Sequence, residues 1–291
     1  MPELPEVECI RRGLEGLLVG RAVRLGHLGR NDIVGSLEHP RGQRGGRALL
    51  VPPESLLDGC VVDRVLRKGK QLAIGARSGR WLIVRLGMSG QLLSGDHLAS
   101  KKDHVHIRWF LNDGTSLAFR DARRFGSVVP CDDQDALDAH WGLLGPDALS
   151  VEPHDLLCRL RPKRTALKTC LMDQSVLAGV GNIYADESLF GARLHPLMPA
   201  SRLQRGHVDR LVLSLRKVLV SAINHGGSTL RDFCTPSGVG GTYRSAHQVY
   251  GRKGEPCPTC RGALRGARIG GRASVWCPTC QDRRIRSVTN E

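Results

Sequence analysis

Apolar residues at Val7, Ile10, Leu14 and Leu17 fall three or four positions apart and predict an amphipathic helix from about Pro5 to Leu18. Beyond it the apolar spacing turns strand-like. Runs rich in β-branched and aromatic residues, bounded by Gly, Pro or Asp, cover Cys60 to Leu66, Gln71 to Ile74, Trp81 to Leu86, His104 to Phe110, Ser116 to Phe119 and Ser127 to Val129. Short strands spaced in this way predict an antiparallel sandwich or barrel. His104 and His106 alternate on one of them and are expected to be half exposed. Between Asp132 and Ser150 the strand pattern gives way to a segment rich in Asp, Gly and Pro, where a domain boundary is expected, and helical sequence follows. Ser201 is placed to cap a long helix in which Val208, Leu211, Val212, Leu215, Val218, Leu219 and Ala222 form one apolar stripe, a core face. Gly238, Gly240 and Gly241 then mark a flexible loop. The predicted class is α+β: an N-terminal helix with an antiparallel β-sandwich, then a helical domain.

Charge narrows the partner. The chain has 291 residues, 41% of them hydrophobic, enough to bury the cores of two domains, and a net charge of +15 that points to a polyanion, either nucleic acid or an anionic membrane surface. No apolar run reaches the length of a membrane span, and the N-terminus is acidic where a signal peptide is basic, so a soluble cytosolic protein is expected. Only 8 of the 43 basic residues are Lys, an excess of Arg that suits bidentate phosphate contacts. An aromatic content of 4% argues against a single-strand stacking platform.

Cysteine spacing adds a metal. Six of the ten cysteines are scattered, whereas Cys257-Pro-Thr-Cys260 and Cys277-Pro-Thr-Cys280 form two C-x-x-C knuckles sixteen residues apart, the pattern of a four-thiolate structural zinc ribbon. Paired disulfides or a redox motif are the alternatives, and a reducing compartment without a βαβ context counts against both. The intervening residues have the length of a hairpin, and Arg261, Arg265, Arg268 and Arg272 on it are expected to face phosphate.

The chain opens M-P-E-L-P-E-V-E. Once Met1 is removed, Pro2 presents a secondary amine that can attack an electrophilic carbon and become an iminium, and Glu3 is the nearest carboxyl to deliver a proton. Pro5 and the acidic residues equally suit the start of a helix. Four loop motifs have no packing requirement: Arg67-Lys68-Gly69-Lys70, Leu86-Gly87-Met88-Ser89-Gly90, Asp121-Ala122-Arg123-Arg124-Phe125-Gly126 and Gly179-Val180-Gly181-Asn182-Ile183-Tyr184. Taken singly, Lys70 and Arg272 also read as solvated charges, Met88 and Phe125 as core, and Asn182 as a helix cap.

Together with the first eight residues, Q-V-Y-G-R-K-G-E-P-C and the cysteine pattern, these loops make seven motifs in register from Met1 to about Gln281, and in that order they resemble the formamidopyrimidine-DNA glycosylase family. The resemblance implies a bifunctional base-excision repair enzyme. Its parts would be a catalytic β-sandwich over 1–131, a linker over 132–150, a helix-two-turn-helix domain with a lesion loop over 151–244 and a zinc-finger ribbon over 245–284, holding one structural zinc ion. The partner implied is double-stranded DNA containing oxidised purines, with no membrane and no protein partner, and the protein is expected to be a monomer in the bacterial cytoplasm with the nucleoid. Roles carry over residue by residue. Pro2 is the nucleophile and Glu3 the acid toward the sugar ring oxygen, while Glu6 supports proton traffic or holds the helix. Lys70, Asn182 and Arg272 grip the phosphates beside the lesion, and Lys163 lies near the damaged nucleotide. Met88 and Phe125 form the wedge that fills the emptied stack, and Arg123 probes the orphaned base. Leu4 and Val7 fit the branch acting on purine lesions; the endonuclease VIII type, acting on oxidised pyrimidines, is the alternative within the family. A zinc-ribbon DNA-binding protein without catalysis is the alternative outside it.

Overall fold

The helix α1 (Leu4–Leu18) starts at the third residue after the chain begins, with Pro5 in its first turn, where a missing N–H costs nothing. Leu4, Val7, Ile10, Leu14 and Leu18 are buried along one face. This computed structural model describes residues 1–39, 51–95, 103–229 and 233–282. They fall into two compact units, Met1–Leu143 with His225–Thr242, and Leu144–Asn224 with Tyr243–Glu291.

In the first unit the strands are β1 (Ala22–Leu28), β2 (Cys60–Lys68), β3 (Gln71–Ala76), β4 (Trp81–Arg85), β5 (Gly90–Ser94), β6 (Val105–Leu111), β7 (Ser116–Asp121) and β8 (Ser127–Cys131). They join antiparallel in the order β5-β7-β6-β1-β2-β3-β4-β8. β1 and β2 share only the pairs Ala22↔Val61 and Val23↔Cys60. On either side of that short seam, Leu72, Ile74, Leu82 and Val84 from one half and Leu92, Ile107, Trp109, Leu117 and Phe119 from the other enter the same buried cluster, together with Val7, Ile10 and Leu14 of α1. The ladder therefore folds over into the expected sandwich, with α1 closing the core.

Two strands escape the apolar pattern. β1 is broken by Gly26 and a register shift between Leu25 and His27, and β5 lies within and just past the Leu86-to-Gly90 motif. His106 is buried, not half exposed, because its Nε2 meets the Asp121 carbonyl at 2.8 Å; His104 is exposed in a left-handed turn. The segment expected to link the domains opens with a helix, α2 (Gln134–Gly142), whose N-cap Asp133 accepts from the Ala136 N–H at 2.8 Å. Residues 225–242, assigned by sequence order to the helical domain, pack with the first unit. There the Ser94 N–H donates to the Pro236 carbonyl, and Ser228 bridges Thr242.

The second unit contains α3 (Pro153–Leu160), α4 (Leu167–Met172), α5 (Asn182–Gly191), α6 (Arg205–Asn224) and the hairpin β9 (Arg265–Ile269) with β10 (Arg272–Trp276). The α6 stripe is buried as predicted, with Val218 half buried, but the helix begins at Arg205. Ser201 instead lies in the 3-10 turn Ala200–Arg202, and the start of α6 is met by His207 Nδ1 accepting from the Gln204 N–H. α5 is buried from Ile183 to Phe190, making it the central helix of this unit.

Candidate active site and nucleic-acid interface

Pro2 and Glu3 are buried at the N-terminus of α1, with Met1 exposed before them. The Glu3 N–H donates to Glu6 Oε2 at 2.8 Å, half of a capping box in which Glu3 is the N-cap. Glu6 Oε1 accepts from the Ser228 N–H at 2.7 Å. Both Glu6 oxygens are thus engaged by backbone donors, which fits its holding α1 and the 225–242 segment together. Gly227 makes this approach possible: at φ +85 a Cβ there would lie 3.1 Å from Glu6 Cγ. Two residues along, Glu8 accepts from Arg11, Arg12 and Arg67. Burial opposes its ionisation, but the hydrogen bonds from Arg11, Arg67 and Arg12 outweigh that and hold the carboxyl below its ordinary range. Arg67 also bonds the Gly69 carbonyl within the hairpin and Lys68 Nζ the carbonyl of Trp141 in α2, so the first two cations of the R-K-G-K motif make contacts within this unit. Lys70 follows Gly69 (φ 57) in the two-residue turn between β2 and β3 and is half exposed.

Met88, Arg123 and Phe125 sit on neighbouring loops of the same unit. Gly90, which ends the first loop, pairs with Asp121, which begins the second. Met88 is half buried, and Arg123 and Phe125 are exposed, Phe125 by 41%. The Arg123 guanidinium lies 5.0 Å from the centre of the Phe125 ring. Phe125 is therefore no core residue.

Lys163, Asn182 and Arg272 belong to the second unit. Lys163 Nζ is 4.0 Å from Asp173 with both side chains over a third exposed, a weak tie. Asn182 is not the cap: Gly181 occupies that position, and Asn182 stands in the first turn of α5, its buried Oδ1 accepting no hydrogen bond among the described residues. Helix N–H groups at that end favour an anion. Arg272 is exposed beside the Gly270-Gly271 turn, whose glycines have φ of 56 and 75; a Cβ on Gly270 would come within 2.9 Å of Thr169 Oγ1, so the hairpin tip rests on α4. Arg261, Arg265 and Arg268 are exposed too.

Two acidic residues of α5 fasten the ribbon. Asp186 Oδ1 pairs with the fully buried Lys168 Nζ at 2.7 Å, and its Oδ2 accepts from the Val275 N–H at 3.0 Å; Lys168 also donates to the Ala273 carbonyl and to Ser274 Oγ. Burial pushes Asp186 up to about 6 although Lys168 favours its charge. Next to it Glu187 accepts from the N–H groups of Gln248, Val249 and Tyr250, each within 2.9 Å. Asp121, Asp186 and Glu187 are supports that the sequence shows only as letters within motifs, since nothing local marks their partners.

The four ribbon cysteines gather as predicted, their sulfurs within 4.8 Å of one another. Cys260 and Cys277 are 3.4 Å apart and Cys257 and Cys280 3.9 Å, bracketing the roughly 3.8 Å expected around a tetrahedral ion with 2.3 Å bonds. A disulfide needs about 2.05 Å, and all four are free. Four thiolates at this spacing are placed to hold one structural zinc ion.

Family comparison agrees along the chain. The formamidopyrimidine-DNA glycosylase N-terminal domain matches residues 1–128, the H2TH domain of the same enzyme 144–234, and the zinc finger found in FPG and IleRS 254–283. A formamidopyrimidine-DNA glycosylase of Stenotrophomonas maltophilia is 44% identical over 97% of this chain and 100% of its own length. The crystal structure of MutM (Fpg) from Thermus thermophilus superposes with a TM-score of 0.80 at 35% identity, covering 96% of this chain and 98% of that one. A Lactococcus lactis FPG variant in complex with Fapy-dG containing DNA gives 0.82 at 28% identity over 97% and 100%. With its sandwich, buried Pro2 and Glu3, paired loops and four-cysteine ribbon matched from end to end, this chain belongs to the formamidopyrimidine-DNA glycosylase family.

Proposed function

We infer that the protein is a bifunctional DNA glycosylase and AP lyase that removes oxidised purines, 8-oxoguanine and formamidopyrimidines, from duplex DNA. The observation that carries the reading is the buried pair Pro2 and Glu3 at the start of α1, with Glu6 fully engaged beside it. Loss of Met1 frees the Pro2 amine. Its lone pair attacks C1′ of an everted nucleotide, the bond to the base breaks, and the base leaves with the proton that the amine sheds. Glu3 protonates the ring oxygen, the bond from C1′ to that oxygen opens, and the nitrogen becomes an iminium. Loss of a C2′ proton then expels the 3′ phosphate, and a second elimination expels the 5′ phosphate. An iminium makes each proton loss easier by accepting the electron pair. Lys70, Asn182 and Arg272 act as phosphate grips, Lys163 lies toward the damaged nucleotide, and Met88 and Phe125 hold the stack open while Arg123 meets the unpaired base.

No helix among the described residues is long and apolar enough to cross a membrane. Acting on chromosomal DNA implies work at the bacterial nucleoid. The deciding experiment is reductive trapping during turnover: borohydride should join DNA to residue 2, as read by peptide mapping, and an N-terminal extension that retains Met1 should abolish both trapping and strand cleavage. DNA mapped to Lys70 or Lys163 would make the nucleophile a lysine.

A further inference from the structure

We propose that Asp121, with Ser89, is a positioning residue that makes the two wedge-bearing loops one rigid body, so that Met88 and Phe125 enter the base stack together. The proposal rests on the wedge reading given above. Asp121 ends β7 with no exposed surface, in register with Gly90 at the start of β5, so both loops leave the same end of one strand pair. Its Oδ1 accepts from Ser89 Oγ at 2.5 Å and from the Arg123 N–H at 3.2 Å, while Oδ2 accepts from the Gly126 N–H at 2.6 Å. Ser89 Oγ in turn accepts from the Arg123 N–H at 3.2 Å. A single carboxylate therefore fixes the residue after Met88, the backbone of Arg123 and the residue after Phe125.

The backbones are in contact as well. Gly87 has φ +60, and a Cβ there would fall 2.3 Å from the carbonyl carbon of Phe125, so the first loop lies directly on the second. The second loop turns through Arg124 at φ +54, a conformation costly for a residue with a side chain, and the Arg124 guanidinium lies 2.9 Å from Asp32. Such strain persists only where the surroundings fix it. Inserting apolar side chains between stacked bases works against stacking energy, and a loop free to bend would yield before the stack does. A buried carboxyl group with three donors resists that bending, because separating the loops leaves its oxygens and those donors without partners.

The test uses the full zinc-loaded chain and a duplex with 2-aminopurine beside an 8-oxoguanine, whose fluorescence reports unstacking in stopped flow. Ser89→Ala should slow unstacking about five- to tenfold, Asp121→Asn more, while borohydride trapping at a preformed abasic site stays within twofold of wild type, which also certifies folding. In a Met88→Ala, Phe125→Ala background, Ser89→Ala should slow unstacking no further, because the clasp acts only through those two side chains. If the double variant slows unstacking and Ser89→Ala alone does not, the clasp is wrong and the wedge stands. If the double variant itself unstacks at the wild-type rate, the wedge falls and the clasp with it. Equal losses on damaged and abasic duplex, or additive losses, would reduce Asp121 and Ser89 to general stability.

Discussion

Glu3, Glu6 and Glu8 lie within six residues, all largely buried, yet their partners give them separate tasks. Glu8 is ringed by three arginines and stays charged, which suits a strut between α1 and β2. Glu6 is occupied by two backbone N–H groups, one of them 222 residues along the chain. Glu3, whose side chain completes the capping box with the Glu6 backbone, is the proton donor in the reading we favour. Glu3→Gln should cut base removal from an 8-oxoguanine duplex at least ~100-fold, within the ordinary range for losing a general acid, and cut iminium trapping at an abasic site less, since there the base has already left and only ring opening still needs the proton. Parallel single-turnover and trapping assays compare the two; equal losses would assign Glu3 to holding the helix start. The sequence offers three acids within six residues and cannot rank them, because rank comes from which donors reach each one.

At the scale of elements, α5 is the hub of the second unit. Its first turn offers Asn182, its middle grips β10 through Asp186 and residues 248–250 through Glu187, and its last turn supplies Phe190 to the ribbon core. The phosphate grips proposed at Asn182 and Arg272 thereby lie on one packed body. Asp186→Asn leaves the buried Lys168 ammonium without its counter-charge, so unfolding of this unit should be easier by about 3–5 kcal/mol, the usual consequence of breaking a buried pair from one side. Urea titration followed by Trp276 fluorescence measures it. The Lys168→Met, Asp186→Leu double variant should recover much of the loss, since matched apolar replacements need no solvation of charge. Helix existence here is legible from apolar spacing, whereas α5, buried on all sides, shows no face and announces its central place only after packing.

For the whole molecule, each unit has its own core. The sandwich cluster draws on first-unit residues alone among those described, and the ribbon cluster on Phe190, Val249, Cys257, Leu264, Val275 and Cys277. Cys257→Ser should release the zinc, melt the ribbon and abolish DNA binding while the sandwich keeps its transition, because metal binding supplies most of the free energy of so small a module. Metal content, a two-stage thermal scan and a duplex-binding titration follow the three effects. Full zinc in the variant would overturn the ligand set, and loss of the sandwich transition would show that the units fold together.

The sequence by itself determined the elements whose signals are local: α1 from its apolar spacing, six of the eight strands described in the first unit, the α6 stripe and the four cysteines of the ribbon, because a knuckle places two thiolates within four residues. Family motifs in order also carried the site residues as expectations. Tertiary structure alone decided what those residues touch. Strand β1 was hidden by Gly26, against which Phe110 of β6 lies so closely that a Cβ would come within 2.2 Å of its ring. His106 is buried because Asp121 turns a carbonyl to it, and residues 225–242 join the first unit because Glu6 and Ser94 bond them there. The physical reason is common to all of these. Periodicity reports which face of an element avoids water, but a buried polar group is stable only with a specific partner, and that partner is chosen by the folded backbone, not by distance along the chain.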